Sequence, residues 1–168
     1  NTTETRGLTR ISEAKDTNVS ECMNLTQANT LYTMNKSINA YGENCINIMN
    51  TNITLDCQGF NITNGSWAIT SYNNSATIKN CFIYSSDVPF KISSSNNLIA
   101  NSTAITGVYG TVDQDGGGNT WINVTIGNMS NAGMEIWTSN NTIKECDVSG
   151  TRGIRFFSYN LSLIHISE

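Results

Sequence analysis

Charged residues are scarce in this sequence. Nine lysines and arginines stand against thirteen acidic residues, and no segment is rich in basic side chains. Because nucleic-acid binding needs a dense array of cations that displaces counterions from the phosphates, no nucleic-acid partner is expected. No apolar run approaches the roughly 20 residues of a membrane-spanning helix, so no membrane span is expected either.

The residues that build zinc sites and long helices are also few. The chain has one histidine, one proline and no Cys-x-x-C pair, which speaks against a zinc site, and nothing points to a cofactor. Instead it contains 25 asparagines, 18 serines and 21 threonines, with 38% hydrophobic residues. This composition favours many short strands that are joined by tight corners and share a core.

Similar segments recur about every 22 residues. The segments 68–83, 91–105 and 135–148 each read as a strand, a corner with paired asparagines, and a second strand. One apolar column follows this period through Leu55, Ile78, Ile99, Trp121 and Ile143. A second, less regular one runs through Ile48, Ile69, Ile92, Val112 and Ile136.

This period is too short for a strand plus a helix. It predicts an all-β fold, a right-handed parallel β-helix (solenoid) of about six coils with ~22 residues per coil. An antiparallel sandwich is the alternative, but turns that recur every 8–12 residues would not place like residues one coil apart.

The sequence NITLDCQGFNITN at 52–64, after a cysteine-bearing segment at 21–48, resembles the opening coils of secreted β-helix proteins of the NosD/pectin-lyase-like superfamily. The resemblance covers about residues 22–160 and implies the parallel β-helix fold. It implies no single activity, because the superfamily includes lyases, hydrolases, adhesins and inert stalks.

Two segments fall outside the repeat. Residues 1–21 are predicted to form an N-terminal cap or an assembly arm, with Leu8 and Ile11 as the anchors of the arm. Residues 161–168, LSLIHISE, resemble a translated sequencing adaptor and are predicted to be a non-native tail. The alternative is a genuine capping strand.

Thirteen N-x-S/T sequons, about twice the number expected after shuffling, predict an N-glycosylated extracellular or cell-surface protein. The predicted glycan sites are Asn18, Asn24, Asn35, Asn52, Asn61, Asn64, Asn73, Asn128 and Asn140. The ambiguous ones are Asn1, Asn101, Asn123 and Asn160. Asn101 and Asn123 repeat the position of Asn80, where asparagines stacked inside a corner would exclude a glycan. Asparagine corners followed by threonine-bearing strands would also generate sequons without any glycosylation.

The cysteines are spaced by one coil. Cys22 and Cys45 are 23 residues apart, and Cys57 and Cys81 are 24 apart. Because adjacent coils lie about 4.8 Å apart, within the range of a disulfide, a Cys22–Cys45 bond is predicted. Cys57 and Cys81 form either a second bond or a pair of stacked thiols, and Cys146 is predicted to be a free core thiol.

Three functions remain open. The preferred one is a non-catalytic structural subunit of a surface layer, stalk or filament that self-associates head to tail through open solenoid ends. A fragment of a polysaccharide lyase or hydrolase would need clustered carboxylates, for which the candidates are Glu135 near Arg155 and Glu145, Asp147 and Arg152. A glycan-binding module would use Trp67, Tyr72, Phe90, Tyr109, Trp137 and Tyr159. No metal site is predicted, and Asp113 and Asp115 are only a weak calcium candidate.

Overall fold

The computed structural model describes residues 17–157 and the backbone of 161–167. Within these residues the regular elements are strands, and there is no helix. The strands are β1 (Thr17–Val19), β2 (Met23–Leu25), β3 (Leu31–Met34), β4 (Ile38–Asn39), β5 (Ile46–Ile48), β6 (Thr54–Asp56), β7 (Asn61–Thr63), β8 (Trp67–Ser71), β9 (Thr77–Lys79), β10 (Phe82–Tyr84), β11 (Val88–Ile92), β12 (Leu98–Gly107), β13 (Thr111–Asp113), β14 (Thr120–Met129), β15 (Met134–Ile136), β16 (Asn141–Gly150), β17 (Ile154–Phe156) and β18 (Leu161–Ser167).

The strands stack as parallel rows, one coil above the next. One sheet has seven strands in the order β2-β5-β8-β11-β13-β15-β17. The other has eleven, in which the row β1-β3-β6-β9 and the row β4-β7-β10 both lead into the long strand β12, followed by β14, β16 and β18. The predicted parallel β-solenoid is confirmed, with about six turns.

The first apolar column lies in the interior as predicted. Leu55 pairs in register with Ile78, Ile78 with Ile99, Ile99 with Trp121, and Trp121 with Ile143. All five side chains are fully buried. Burying a side chain of this size contributes about 1.5–3 kcal/mol, and stacking lets every coil share that gain with its neighbours.

The second predicted column is wrong in its register. Ile46, not Ile48, pairs with Ile69, and Ile48 pairs with Ser71. Ile92 pairs with Asp113 and Asp113 with Ile136, while Val112 pairs with Lys91 outside the core. Two polar residues, Ser71 and Asp113, therefore occupy interior positions, and a search for recurring apolar residues does not find them.

Asparagines in the left-handed conformation form the corners. Sixteen non-glycine residues of the described chain have positive φ, and nine of these are asparagine. Fifteen of these residues, together with Gly118, fall into three columns in which successive members are 21–23 positions apart. The first column contains Asn29, Asn52, Ser75, Asn96, Gly118 and Asn140. The second contains Gln58, Asn80, Asn101, Asn123 and Glu145, and the third contains Tyr41, Asn64, Ser85, Thr106 and Asn128. Asparagine tolerates this conformation better than most residues, which explains much of its abundance in the chain.

Two disulfides tie successive coils together. Cys22 is bonded to Cys45, with their Cα atoms 4.3 Å apart, and Cys57 to Cys81, with their Cα atoms 4.8 Å apart. Cys146 is free and buried, and its burial raises the pKa of the thiol, which keeps it neutral.

The solenoid extends into both flanking segments. Residues Thr17–Val19, which the sequence assigns to the N-terminal cap or arm, form β1 and pair with β3. Leu8 and Ile11 lie outside the described residues. At the other end the backbone of Leu161–Ser167 pairs in register with β16. The non-native origin of residues 161–168 stays a prediction.

Candidate glycosylation surface

Eleven of the thirteen sequon asparagines lie in the described part of the chain, and none of them is buried. Ten are exposed, including Asn101 and Asn123, and Asn73 is half-buried. Asn1 and Asn160 lie outside the described residues. The fold therefore places every described sequon where an oligosaccharide can project into solvent.

The alternation of the strands explains this placement. In nine of the eleven described sequons the middle residue is buried, while neither the asparagine nor the serine or threonine is. Asn52, Ile53 and Thr54 are typical: Ile53 is fully buried, and its two neighbours face away from the core. Because successive side chains of an extended chain alternate between faces, one sequon puts its two recognition residues on the outside together.

Three other asparagines are buried and form a ladder inside the solenoid. They are Asn97, Asn119 and Asn141, and each is exposed by 1% or less. None is a sequon, because the residue two positions later is Ile99, Trp121 or Ile143, all members of the buried apolar column. The interior asparagine ladder is thus one set, and the position of Asn80, Asn101 and Asn123 is another, at the surface. The sequence signal that would have found the ladder is an asparagine two positions before a member of the predicted apolar column. An apolar residue alone is not enough, since Asn96, two positions before Leu98, is exposed.

Asn119 shows how the ladder is hydrogen-bonded. Its Oδ1 accepts from the backbone N–H and the Nδ2 of Asn97, at 2.8 and 2.9 Å. Its backbone N–H donates to Oδ1 of Asn141 at 2.8 Å, and its Nδ2 donates to the carbonyl of Ser94 and to Oδ1 of Asp113, both at 3.0 Å. The side chain thereby links three coils through buried polar groups that have no access to water.

The exposed corner asparagines also bond between coils, in a way that leaves room for a sugar. Nδ2 of Asn52 donates to Oδ1 of Asn29 at 2.8 Å, and Nδ2 of Asn123 donates to Oδ1 of Asn101 at 3.0 Å. An amide nitrogen carries two hydrogens, so a glycosylated one keeps a hydrogen for this bond. Glycosylation of these asparagines is therefore compatible with the hydrogen bonds of the corner.

The weak calcium candidate is divided between two environments. Asp113 is fully buried, with Oδ1 accepting from Asn119 and Oδ2 accepting from Thr138 Oγ1 at 2.9 Å. Asp115 is exposed and lies at a corner, with φ of 63°. One carboxylate is hydrogen-bonded in the interior and the other faces solvent, and calcium binding by the pair stays a weak prediction.

The carboxylates considered for catalysis have structural partners or face solvent. Glu135 Oε1 accepts from Arg155 Nη1 at 2.6 Å. The Glu145 carboxylate lies 3.4 Å from the Lys144 ammonium; Glu145 is exposed and Lys144 is half-buried. Asp147 is exposed on β16, where it pairs with Thr125. Glu135 and Glu145 are thus each paired with a cation, and Asp147 faces solvent.

Three of the aromatic residues considered for sugar binding are buried or half-buried, and two of these contact a neighbouring side chain. Phe90 is fully buried. Trp67 is half-buried, with Lys91 Nζ 3.4 Å from its ring centre. Tyr109 is half-buried, and its hydroxyl accepts from an asparagine amide at 2.8 Å. Tyr159 lies outside the described residues.

Tyr72 and Trp137 are exposed, and Trp137 stacks on Phe157, which the sequence did not single out. The two ring centres are 3.7 Å apart and the planes are inclined by 6°. Arg155 lies 4.7 Å from the ring centre of Phe157. A sugar ring stacks on a free aromatic face. The face of Trp137 and the face of Phe157 that lie against each other are therefore not free to bind a sugar.

Among the described residues there is no helix long and apolar enough to cross a membrane. The resemblance to the NosD/pectin-lyase-like superfamily stays a prediction. Comparison with models of protein families, with curated proteins and with solved structures finds no match to this chain.

Proposed function

We propose that this chain is a non-catalytic, N-glycosylated extracellular structural protein, a subunit of a surface layer, stalk or filament. The observation that carries the proposal is the position of the sequons, in which the buried middle residue leaves both recognition residues outside the core in nine of eleven cases. Glycans at exposed corners would shield the solenoid from proteases and from unwanted association.

The two disulfides support a location outside the reducing cytosol. Each bond joins consecutive coils, and disulfides persist in exported proteins while cytosolic thiols are kept reduced. The low charge content of 13% also fits a protein whose solubility depends on sugars instead of ionised side chains.

Head-to-tail self-association is part of this proposal, and the last described strand of the seven-stranded sheet offers a contact at which it can be tested. Among the described strands β17 pairs with β15 alone, and its Phe156 is 40% exposed, whereas Ile136, its register partner on β15, is fully buried. A parallel strand of a second copy would cover Phe156 and accept the unpaired backbone groups. Repeated addition in this way produces a filament.

Electron microscopy of purified protein over a range of concentrations tests the assembly. Filaments should form at high concentration, and Phe156→Asp should suppress them by placing a charge in the contact. Tyr84→Asp is the matched control, because Tyr84 is 47% exposed on β10, in the middle of the solenoid, away from either end. Single particles at every concentration would contradict head-to-tail assembly.

A further inference from the structure

A carboxyl group lies in the interior of the solenoid between two apolar residues. Asp113 on β13 pairs with Ile92 of β11 and with Ile136 of β15, and all three are fully buried. A buried carboxylate is normally stabilised by a nearby cation, because transfer of an unpaired charge out of water is costly.

The groups that bond Asp113 are neutral. Asn119 Nδ2 donates to Oδ1 at 3.0 Å, and Thr138 Oγ1 donates to Oδ2 at 2.9 Å. Thr138 in turn receives the amide of Asn141 at 2.8 Å, so the carboxyl is part of the asparagine ladder.

The charged residues of the neighbouring strands lie on the outer face. Lys91 on β11 stands over Trp67, and Glu135 on β15 pairs with Arg155 on β17. The strand alternation places all three charged residues opposite to the side of Ile92 and Ile136. On its own segment Asp115 is exposed. Among the described residues, the charged groups of the elements packed around Asp113 therefore do not face its carboxyl.

We propose that Asp113 is an internal acid–base switch, neutral in acidic surroundings and ionised in neutral ones, so that the solenoid is held together more firmly in acid. Burial raises the pKa of Asp113 from 3.8 to about 6, and the hydrogen bonds from Thr138 and Asn119 oppose that rise only in part. In the window between these two values the folded chain binds more protons than the unfolded chain, so stability falls as pH rises.

The ionised carboxylate attracts water into the coils that Asn97, Asn119 and Asn141 connect, because hydration is the remaining way to stabilise the charge. The switch therefore acts on the segment from β11 to β15, while the disulfide-bonded coils before it are unaffected. The device depends on the fold alone and requires neither glycans nor assembly.

Thermal unfolding at about pH 4.5 and about pH 7.5 compares the wild type, Asp113→Asn and Asp147→Asn. Asp113→Asn removes the titration and mimics the protonated acid, with an oxygen that can accept from Asn119 and an amide that can donate to Thr138 Oγ1. Asp147→Asn neutralises an exposed acid of the same solenoid. Relative to Asp113→Asn, the wild type should lose about 4–8 °C in melting temperature between the acidic and the neutral condition. Asp147→Asn should behave as the wild type does.

Infrared spectroscopy gives a second measurement that does not require unfolding. The wild type at about pH 5 should show the carbonyl band of a protonated carboxylic acid that is absent from Asp113→Asn and disappears toward neutral pH. Identical pH dependence of the melting temperature in wild type and Asp113→Asn would overturn the proposal. So would failure of Asp113→Asn to fold, or absence of the infrared band.

Discussion

Asn140 and Asn141 are consecutive in the chain, but their side chains point to opposite sides of the solenoid wall. Asn140 is exposed at a corner with φ of 62°, and Asn141 is buried, with its Oδ1 accepting the backbone N–H of Asn119 at 2.8 Å. Two positions after each of them come Thr142, which is half-buried on the outer side, and Ile143, which is fully buried. The alternation that sets burial therefore also sets which asparagine is a sequon.

A new glycosylation site can be predicted from this relationship. Asn96 is exposed at the corner equivalent to Asn140, and Leu98 pairs in register with Thr77 and Thr120 on the outer face. Leu98→Thr completes an N-x-T sequon at Asn96. When the variant is expressed in a cell that glycosylates the other sequons, it should carry one additional glycan, which intact-mass spectrometry of the purified protein measures. Leu98→Val, which creates no sequon, is the control. A folded Leu98→Thr protein with the same glycan mass as this control would count against the relationship.

The hydrogen bonds of the buried asparagine ladder should contribute far more to the free energy of unfolding than asparagine–asparagine hydrogen bonds near the surface. Asn119→Ala removes the acceptor of Asn97 and a donor to Asp113, and should reduce the free energy of unfolding by about 3 kcal/mol or more. Asn47→Ala removes an intercoil amide bond of 2.9 Å from a half-buried residue to the exposed Asn24, and should cost under about 1 kcal/mol. Chemical denaturation measures both, and equal losses would be inconsistent with the burial of the ladder.

The cysteine pairing predicts a specific count of thiols. Unfolding without a reductant should expose one reactive thiol, that of Cys146, and reduction should raise the count to five. In the folded protein Cys146 should react slowly, because it is buried and its pKa is raised. Titration with a maleimide reagent gives the count, and three free thiols before reduction would mean that one of the two bonds is absent.

Each disulfide should also stabilise the fold by a similar amount. The bonds close loops of 23 and 24 residues, and loops of this length correspond to about 3 kcal/mol in the chain-entropy treatment. The double change Cys22→Ala with Cys45→Ala, and separately Cys57→Ala with Cys81→Ala, should each lower the denaturant midpoint. Cys146→Ala, which breaks no bond, is the control for loss of a buried sulfur.

The column of Leu55, Ile78, Ile99 and Ile143 was predictable from sequence because stacking forces equivalent core positions to recur once per coil. The other column was not, because Ser71 and Asp113 replace apolar residues inside it and the coil length varies. A shift of one residue reverses the side of every neighbour. Apolar matching alone therefore selected Ile69 and Val112 as partners of the wrong residues.

The positions of the sequons could be predicted from the sequence, but whether Asn101 and Asn123 are exposed could not. The sequons are legible in the sequence, but whether Asn101 and Asn123 face inward depends on the strand alternation at their corner. The structure places both outside, next to Ser102 and Val124, which are buried. The interior role of Asn97 was hidden because Asn96 beside it has the same side chain.

The most direct measurement is a site-resolved glycopeptide map of the protein recovered from the cells that make it. Enzymatic release of glycans in heavy-oxygen water marks each formerly occupied asparagine by mass. Occupancy is expected at the exposed corner sequons, among them Asn52, Asn64 and Asn140, and at Asn101 or Asn123 as well. If none of the thirteen sequons carries a sugar, the glycosylated structural role is contradicted and the sequons are only a consequence of the fold.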